Sequence, residues 1–273
     1  MGGSWRWSAA ALLLTAGVGA SVAAVQTAVS AAAAHPPPLR VARPSTTAPA
    51  EKARPPGKKL VVLDPGHGGS NAGARSVVDG VYEKHLTMLL ARAVGERLEK
   101  RGIEVRFTRE IDEYVSLRER VLTANRLRAD LFVSIHTNAS DARSQRGFET
   151  WVLTPRAVDI DARALRAEPA PAAHPGADAA TALVLDDVER GLSQAGAAAL
   201  AAAIQRELAT RRGRDGDRGV RQSSMDVLLG ATMPAALVEV GFIDHPIEGQ
   251  ELLEPEVQAA IADAIAAGIA SRL

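Results

Sequence analysis

Three residues that can bind a metal or move a proton stand in or directly after apolar runs. His67 follows "LVVLDPG", His136 follows "FVSI", and Glu239 lies within "ALVEVG". A carboxylate in an apolar run is costly unless it is paired or functional, so Glu239 calls for a chemical explanation. Glu83, in "VYEKHLTMLLA", begins the helix predicted after the His67 loop. Together these residue types indicate a site for metal binding and proton transfer.

The elements that carry these residues are expected to bring them together. Each apolar run is a short buried strand, and in open α/β sheets ligands gather at the carboxyl ends of the strands. We therefore expect His67, His136 and Glu239 at one edge of the sheet, with Glu83 delivered there by its helix. Two imidazoles and one carboxylate suit catalytic zinc, because three protein ligands leave a fourth position for water. Glu239 is then the remaining carboxylate, free to take a proton from that water.

Each of these residues also has a simpler explanation when it is taken alone. His67 fits a hydrogen-bonded turn residue, Glu83 fits an acid in the first turn of a helix, and His136 fits a satisfied core histidine. We prefer the joint explanation, because the simpler ones would have to hold independently for every residue at the same edge. The other histidines are not expected to bind metal; they are His35, His85, His174 and His245.

Strand-like and helix-like runs alternate along the chain from Lys59 onward. Helices are predicted at about 83 to 101, 117 to 128, 194 to 211, and from Pro255 onward. The second of them opens with Ser116 and Glu119, which form a capping-box pattern. Alternation of this kind predicts an α/β fold: a single domain with a mostly parallel central sheet and helices on both faces.

Composition limits the classes of function. The 273 residues carry 32 basic and 32 acidic side chains, so the formal net charge of zero removes the overall attraction expected of a nucleic-acid-binding protein. The chain has no cysteine, which excludes disulfides, thiolate zinc ligands and a cysteine nucleophile. It also lacks the G-x-S-x-G turn of many serine hydrolases, which disfavours that class.

The chain before the predicted domain has the features of an exported protein. Residues 1–34 contain Arg6, an apolar run and then small residues, which is typical of a cleaved export signal peptide. An uncleaved membrane anchor is the alternative, and only then would the protein contact a membrane. Residues 35–58 are basic and rich in proline, which predicts an extended linker. We therefore expect the protein in the periplasm or the cell wall.

Seven ordered blocks of sequence resemble one known family. These blocks are "VVLDPGHGGSNAGA", "YEKHLTMLLA", "TREIDEYVSLRERVLTAN", "LFVSIHTNAS", "GFETWVL", "RGVRQSSMDVLL" and "PAALVEVGFIDHPIEGQELL". They are similar to blocks of the zinc-dependent N-acetylmuramoyl-L-alanine amidases, the cell-wall hydrolases of the amidase 3 family. The resemblance covers residues 59–273, which are expected to be the catalytic domain. It implies that Zn²⁺ is held by His67, Glu83 and His136, and that Glu239 is the catalytic acid and base.

The resemblance also implies a reaction. The bond cut is the amide between the lactyl group of N-acetylmuramic acid and L-alanine in peptidoglycan, for cell-wall remodelling or daughter-cell separation. The residues alone indicate only a zinc amide hydrolase. Peptidoglycan is then the substrate, and a protein activator of the wall-hydrolase regulator type is an expected partner. Two alternatives stay open: another zinc hydrolase of the wall, such as a carboxypeptidase or a glycan deacetylase, and a non-catalytic wall-binding module.

A variable stretch, about residues 154–192, carries little of the family's motif content. Some relatives place a regulatory helix between these motifs, and "AATALVLDDVERGLSQAG" has apolar residues at helical spacing. The hypothesis is that this segment lies across the cleft and inhibits the enzyme. Glu189, or as second choice Glu168, would then fill the fourth zinc position. A surface loop is the alternative, because the preceding sequence is rich in proline and alanine.

Overall fold

The computed structural model describes residues 57–155 and 178–273. The predicted signal peptide, nearly all of the linker, and Glu168 in the variable stretch lie outside these ranges. Among the helices of the described ranges, none combines the length and the hydropathy needed to cross a bilayer.

Six strands form one sheet in the order β2-β1-β3-β6-β4-β5. They are β1 (Leu60–Pro65), β2 (Glu104–Phe107), β3 (Leu131–Asn138), β4 (Phe148–Leu153), β5 (Asp217–Ser223) and β6 (Ala235–Phe242). The strands β2, β1, β3 and β6 run parallel, whereas β4 is antiparallel to β6 and β5 is parallel to β4. The predicted, mostly parallel sheet is confirmed. The reversal of β4 and β5 was not predicted, and it places their amino ends beside the carboxyl end of β6.

Helices cover both faces of the sheet, as predicted. They are α1 (Glu83–Glu99), α2 (Leu117–Arg126), α3 (Ala179–Arg212), α4 (Glu248–Glu251) and α5 (Pro255–Ala270), with 3₁₀ turns at Arg214–Gly216 and Asp226–Leu228. One face packs against α1, α3 and α5, and the other packs against α2 and the second 3₁₀ turn. The predicted cap of α2 is present, because the Ser116 hydroxyl accepts a bond from the Glu119 backbone N–H at 3.2 Å.

The larger core lies under α3 and α5. Every fourth residue of each helix is fully buried there, which matches the apolar spacing seen in the sequence. Burying one such aliphatic side chain stabilises the fold by about 1.5–3 kcal/mol. The residues concerned are Leu200, Ile204 and Leu208 in α3 and Ile261, Ile265 and Ile269 in α5.

Gly268 allows α5 to approach α3 closely. A Cβ atom added there would lie 2.6 Å from the Ile204 Cα, so the helices would have to separate. We expect Gly268→Ala to lower the free energy of unfolding by about 1–3 kcal/mol. Gly191 in α3 is the matched control, because no atom of the described residues lies within 4 Å of its added Cβ. Gly191→Ala should raise stability by about 0.5–1 kcal/mol. Denaturant unfolding measures both changes, and equal effects would contradict the packing explanation.

The helix α3 begins at Ala179, whereas the apolar spacing predicted a start near residue 194. Asp178 starts it, since its Oδ1 accepts a bond from the Thr181 backbone N–H at 2.9 Å. The alanine- and leucine-rich sequence that follows has high helix propensity and no proline. The described part of the variable stretch after residue 177 is therefore the first half of a continuous helix, and not a loop.

Candidate active site

His67, Glu83 and His136 lie together at the carboxyl ends of β1 and β3. Glu83 Oε2 is 3.0 Å from His67 Nε2, and Glu83 Oε1 is 2.9 Å from His136 Nδ1. One nitrogen or oxygen atom from each residue lies within 4.8 Å of the others, which is close enough to share a metal ion. The structure thus brings these three predicted residues together, while their binding of a metal stays a prediction.

The turn after β1 fixes the direction of the His67 ring. His67 has a left-handed backbone with φ of 61°, and its carbonyl accepts a bond of 2.7 Å from Arg120 Nη2. Arg109 Nη2 binds the preceding Gly66 carbonyl at 2.9 Å. The ring nitrogen Nδ1 lies 2.9 Å from the Asn71 Oδ1. Because an amide oxygen only accepts, Nδ1 carries the hydrogen, and the Nε2 lone pair is available to a metal.

A buried ion pair under the turn makes it rigid. Asp64 in β1 is fully buried, and Arg120 Nη1 donates to its carboxylate at 2.7 Å and to the Pro65 carbonyl at 2.8 Å. The other carboxylate oxygen accepts a bond of 2.6 Å from the Ser134 hydroxyl. A buried charge needs partners of this kind, so each group depends on the other. The guanidinium therefore links β1 directly to the backbone that carries His67.

Glu83 is held in its ionised form. It is the first residue of α1, and its side chain is buried. Its Oε1 accepts from the Thr137 backbone N–H at 3.0 Å, and its Oε2 accepts from the Ala74 backbone N–H at 2.9 Å. Burial by itself raises the pKa of this carboxyl, but the hydrogen bond with His136 and the proximity of His67 outweigh it and hold the pKa well below its ordinary value. Glu83 is therefore an anion at neutral pH, as a metal-binding carboxylate must be.

Glu239 differs from Glu83 in its environment. In β6 it lies opposite His136 of β3 and opposite Glu149 of β4. Its Oε2 is buried and has no hydrogen-bond partner among the described residues. Burial, together with the negative charges of Glu83 and Glu149, raises the pKa of Glu239 to about 7 despite the nearby His136. This carboxyl can therefore both accept and release a proton near neutral pH.

Glu149 is a site residue that the sequence analysis missed. It is buried beside Glu239, and its carboxylate accepts bonds of 2.9 Å from Asn138 Nδ2 and from Arg218 Nε. Arg221 Nε lies 3.6 Å from the same carboxylate. The signal was a carboxylate within the apolar run "GFETWVL", which carries the same cost as Glu239 in its strand. Glu149 stands near the start of its strand, whereas the predicted site residues stand near the carboxyl ends of theirs.

The other described histidines serve as backbone acceptors. His85 Nδ1 accepts a bond of 3.2 Å from the Tyr82 backbone N–H at the start of α1. His245 Nδ1 accepts a bond of 3.0 Å from the Glu248 backbone N–H at the start of α4. Neither belongs to the group formed by the three predicted ligands. His35 and His174 lie outside the described residues.

Glu189 does not belong to that group either. The helix α3 runs in the same direction as β6: an added Cβ on Gly196 would lie 2.6 Å from Pro234, just before β6, and Arg212 donates to the carbonyl of Val240 near its end. Glu189 is exposed and precedes Gly196 by about 10 Å of helix. It lies beyond the amino end of β6, away from the edge where the three predicted ligands meet. This location does not support Glu189 as a ligand, and Glu168 lies outside the described residues.

Comparison with known proteins gives a consistent family. The family model described as N-acetylmuramoyl-L-alanine amidase, amidase 3, matches residues 61–271. The chain is 32% identical over 222 residues to the N-acetylmuramoyl-L-alanine amidase AmiA of Escherichia coli (strain K12), covering 79% of this chain and 76% of that protein. It is also 32% identical over 222 residues to the uncharacterized protein YqiI of Bacillus subtilis (strain 168), covering 81% and 88% of the two chains.

Solved structures share the fold. The N-acetylmuramoyl-L-alanine amidase AmiC2 of Nostoc punctiforme aligns with a TM-score of 0.60 at 28% identity, covering 79% of this chain and 97% of that one. The N-acetylmuramoyl-L-alanine amidase from Clostridium difficile 630 aligns with a TM-score of 0.61 at 29% identity, covering 78% and 96%. The family predicted from the seven sequence blocks is therefore confirmed. The chain belongs to the amidase 3 family of N-acetylmuramoyl-L-alanine amidases.

Proposed function

We propose that this amidase uses a zinc ion to hydrolyse the amide bond between the lactyl group of N-acetylmuramic acid and L-alanine in peptidoglycan. The observation that carries the proposal is the meeting of His67, Glu83 and His136 beside the buried carboxyl group of Glu239. Membership of the family supports the choice of substrate and of bond. The expected role of the reaction is cell-wall remodelling or daughter-cell separation.

The donor set fits zinc. Zinc takes imidazole nitrogen and carboxylate oxygen together, whereas magnesium and calcium prefer sites made of oxygen alone. The bond between His67 Nδ1 and Asn71 is of the kind that orients metal-binding histidines through their second nitrogen. Three protein ligands leave coordination positions for water and substrate. A zinc ion bound there supplies Lewis-acid chemistry, since it polarises a carbonyl group and makes water a stronger acid.

Glu239 moves the protons in the proposed mechanism. With a pKa of about 7, its carboxylate accepts a proton from the attacking water at neutral pH. The same carboxyl group then donates this proton to the amino group of L-alanine as the amide bond breaks. His67 and His136 would hold the metal ion as neutral imidazoles.

Location and regulation follow from the substrate. Because peptidoglycan lies outside the cytoplasm, we propose that the chain is exported, with residues 1–34 as the signal peptide. A protein activator of the wall-hydrolase regulator type also stays a prediction. The CwlD amidase from Clostridioides difficile, which has the same fold with a TM-score of 0.60 at 22% identity, was solved in complex with the GerS lipoprotein.

Digestion of purified peptidoglycan tests the proposed reaction. We expect protein lacking residues 1–34 to release stem peptides with free L-alanine amino ends and to leave the glycan fully N-acetylated, as identified by mass spectrometry. A chelator should abolish the reaction and added zinc should restore it, because the three ligands otherwise hold no Lewis acid. Release of single amino acids would indicate a carboxypeptidase instead, and free amino sugars would indicate a deacetylase.

A further inference from the structure

The reversed strands β4 and β5 extend the face that carries Glu239. Glu239 pairs with Glu149 in the β6–β4 register, and Trp151 pairs with Arg221 in the β4–β5 register. Side chains directly opposite in register share a face, and residues two apart on one strand do as well. Glu239, Glu149, Trp151 and Arg221 therefore all project from the same side of the sheet. Arg221 stands at the end of this row.

The two arginines of β5 near Glu149 are engaged to different degrees. Arg218 makes several contacts within the protein. Its Nε donates to Glu149 at 2.9 Å, its Nη2 donates to Gln145 at 3.1 Å, and its guanidinium lies 5.0 Å from the centre of the Phe242 ring. Arg221 is half exposed, and its Nε is 3.6 Å from Glu149, too far for a hydrogen bond. Among the described residues, the Arg221 guanidinium makes no hydrogen bond. Its donors are thus available to a ligand.

The local charge at the Arg221 end of this row of side chains favours an anion. One carboxylate, that of Glu149, faces the two guanidinium groups of Arg218 and Arg221. The ion pair with Arg218 satisfies Glu149, which leaves the positive charge of Arg221 without full compensation. A planar guanidinium binds a carboxylate through two parallel hydrogen bonds, so a carboxylate is the group that Arg221 fits best.

The position of Arg221 matches the peptide side of the substrate. Two strand spacings and two residues along β4, together about 12 Å, separate its backbone from that of Glu239, and the arginine side chain spans part of this distance. A peptide extends about 3.3–3.6 Å per residue, so a carboxylate on the residue after L-alanine lies within reach. The lactyl carboxyl of the sugar is itself part of the scissile amide. The stem peptide therefore supplies the free carboxylate.

The side of the site beside the His67 turn has a different chemistry. Tyr114 lies against this turn, since its backbone nitrogen would lie 2.5 Å from a Cβ added to Gly69. Tyr114 is 59% exposed, and the nearby Ile111 is 64% exposed. An aromatic and aliphatic surface suits the faces of a sugar ring better than a carboxylate. The two ends thus favour a substrate oriented with its glycan near Tyr114 and its peptide near Arg221.

We propose that Arg221 binds the free α-carboxylate of the stem-peptide residue that follows L-alanine, and so selects peptides in which this group is not amidated. Arg218 and Glu149 act as positioning residues for it. The inference rests on the proposed function, because it takes the scissile bond to be the one on the amino side of L-alanine.

Matched substrates test this selection. The zinc-loaded full chain is given N-acetylmuramoyl-L-alanyl-γ-D-glutamyl-L-lysine with the glutamate α-carboxyl either free or amidated. We expect kcat/KM to be about 10- to 100-fold higher for the free acid, because the amide cannot form the charge-assisted pair. Arg221→Gln should bring the two values together, mainly by raising KM for the free acid. Arg221→Lys should keep part of the preference, since it keeps the charge and loses the planar fork.

Arg206 is the matched control. It is exposed on α3, which covers the opposite face of the sheet, so Arg206→Gln should keep the wild-type preference. A wild-type ratio near one, or the same ratio in Arg221→Gln, would overturn the proposal. Titration calorimetry with Glu239→Gln measures binding of both peptides without turnover. Tighter binding of the free acid, lost on adding Arg221→Gln, would support Arg221 even if wall digestion showed that another bond is cut; equal binding would exclude it.

Discussion

Glu239→Gln is expected to reduce peptidoglycan hydrolysis by about 10²–10⁴-fold or more while the protein stays folded and keeps its metal. The amide has nearly the shape of the carboxyl group but cannot accept and return a proton. In the proposed mechanism one carboxyl group makes both proton transfers, so the loss should lie at the upper end of this range. Product release from purified wall, compared with metal content and circular dichroism, measures the effect.

Glu96→Gln is the control for this substitution. Glu96 is exposed on α1, so Glu96→Gln replaces the same carboxyl group by an amide at a position away from the predicted site. It should leave hydrolysis at the wild-type rate. Near-normal turnover by a folded, metal-loaded Glu239→Gln protein would remove Glu239 from the mechanism and leave its raised pKa without a catalytic explanation.

The second large effect is expected from the metal ligands. His67→Ala and His136→Ala should each lower zinc affinity by more than about 100-fold, because even residues that only orient a ligand contribute 10- to 100-fold. The remaining imidazole and Glu83 offer only two protein ligands. Metal content after dialysis against a weak chelator measures the loss, and activity should fall in parallel.

His85→Ala distinguishes a ligand from a nearby histidine. His85 lies two residues after Glu83, but its ring accepts a backbone bond at the start of α1 and does not join the group of ligands. This variant should keep its zinc and lose only a modest amount of stability, about 0.5–2 kcal/mol, as a lost helix cap does. If His67→Ala kept its zinc and His85→Ala lost it, the ligand assignment would be wrong.

The three predicted metal ligands could be identified from local features of the sequence. His67 and His136 each follow an apolar run that predicts a buried strand, and parallel strands present their carboxyl ends to one edge. Glu83 was placed by the start of its helix. These features depend on neighbouring residues in the chain, so they are visible without the fold. The seven ordered sequence blocks then indicated the family, which the comparisons confirm.

The length and course of α3 were not visible in this way. Residues 179–192 have an amphipathic spacing that fits either a segment folded back over the cleft or a continuation of the next helix. Local spacing is the same in both cases. The choice depends on the contact of Gly196 with Pro234 and on packing against α5, which involve residues distant in sequence. The location of Glu189 was therefore beyond the reach of the sequence pattern.

The sequence by itself determined the strands other than β5, the main helices apart from the start of α3, the residues expected at the metal edge, and the family. Only the tertiary structure decided that β4 and β5 run against the other strands, which brings Glu149 beside Glu239 and Arg221 to the end of the same row. Strand direction and order are set by pairing between distant segments, and a local alternation of apolar and polar residues reads the same in either direction. For this reason Glu239, the proposed proton-transfer residue, could be predicted from its own strand, whereas the charged residues that surround it could not.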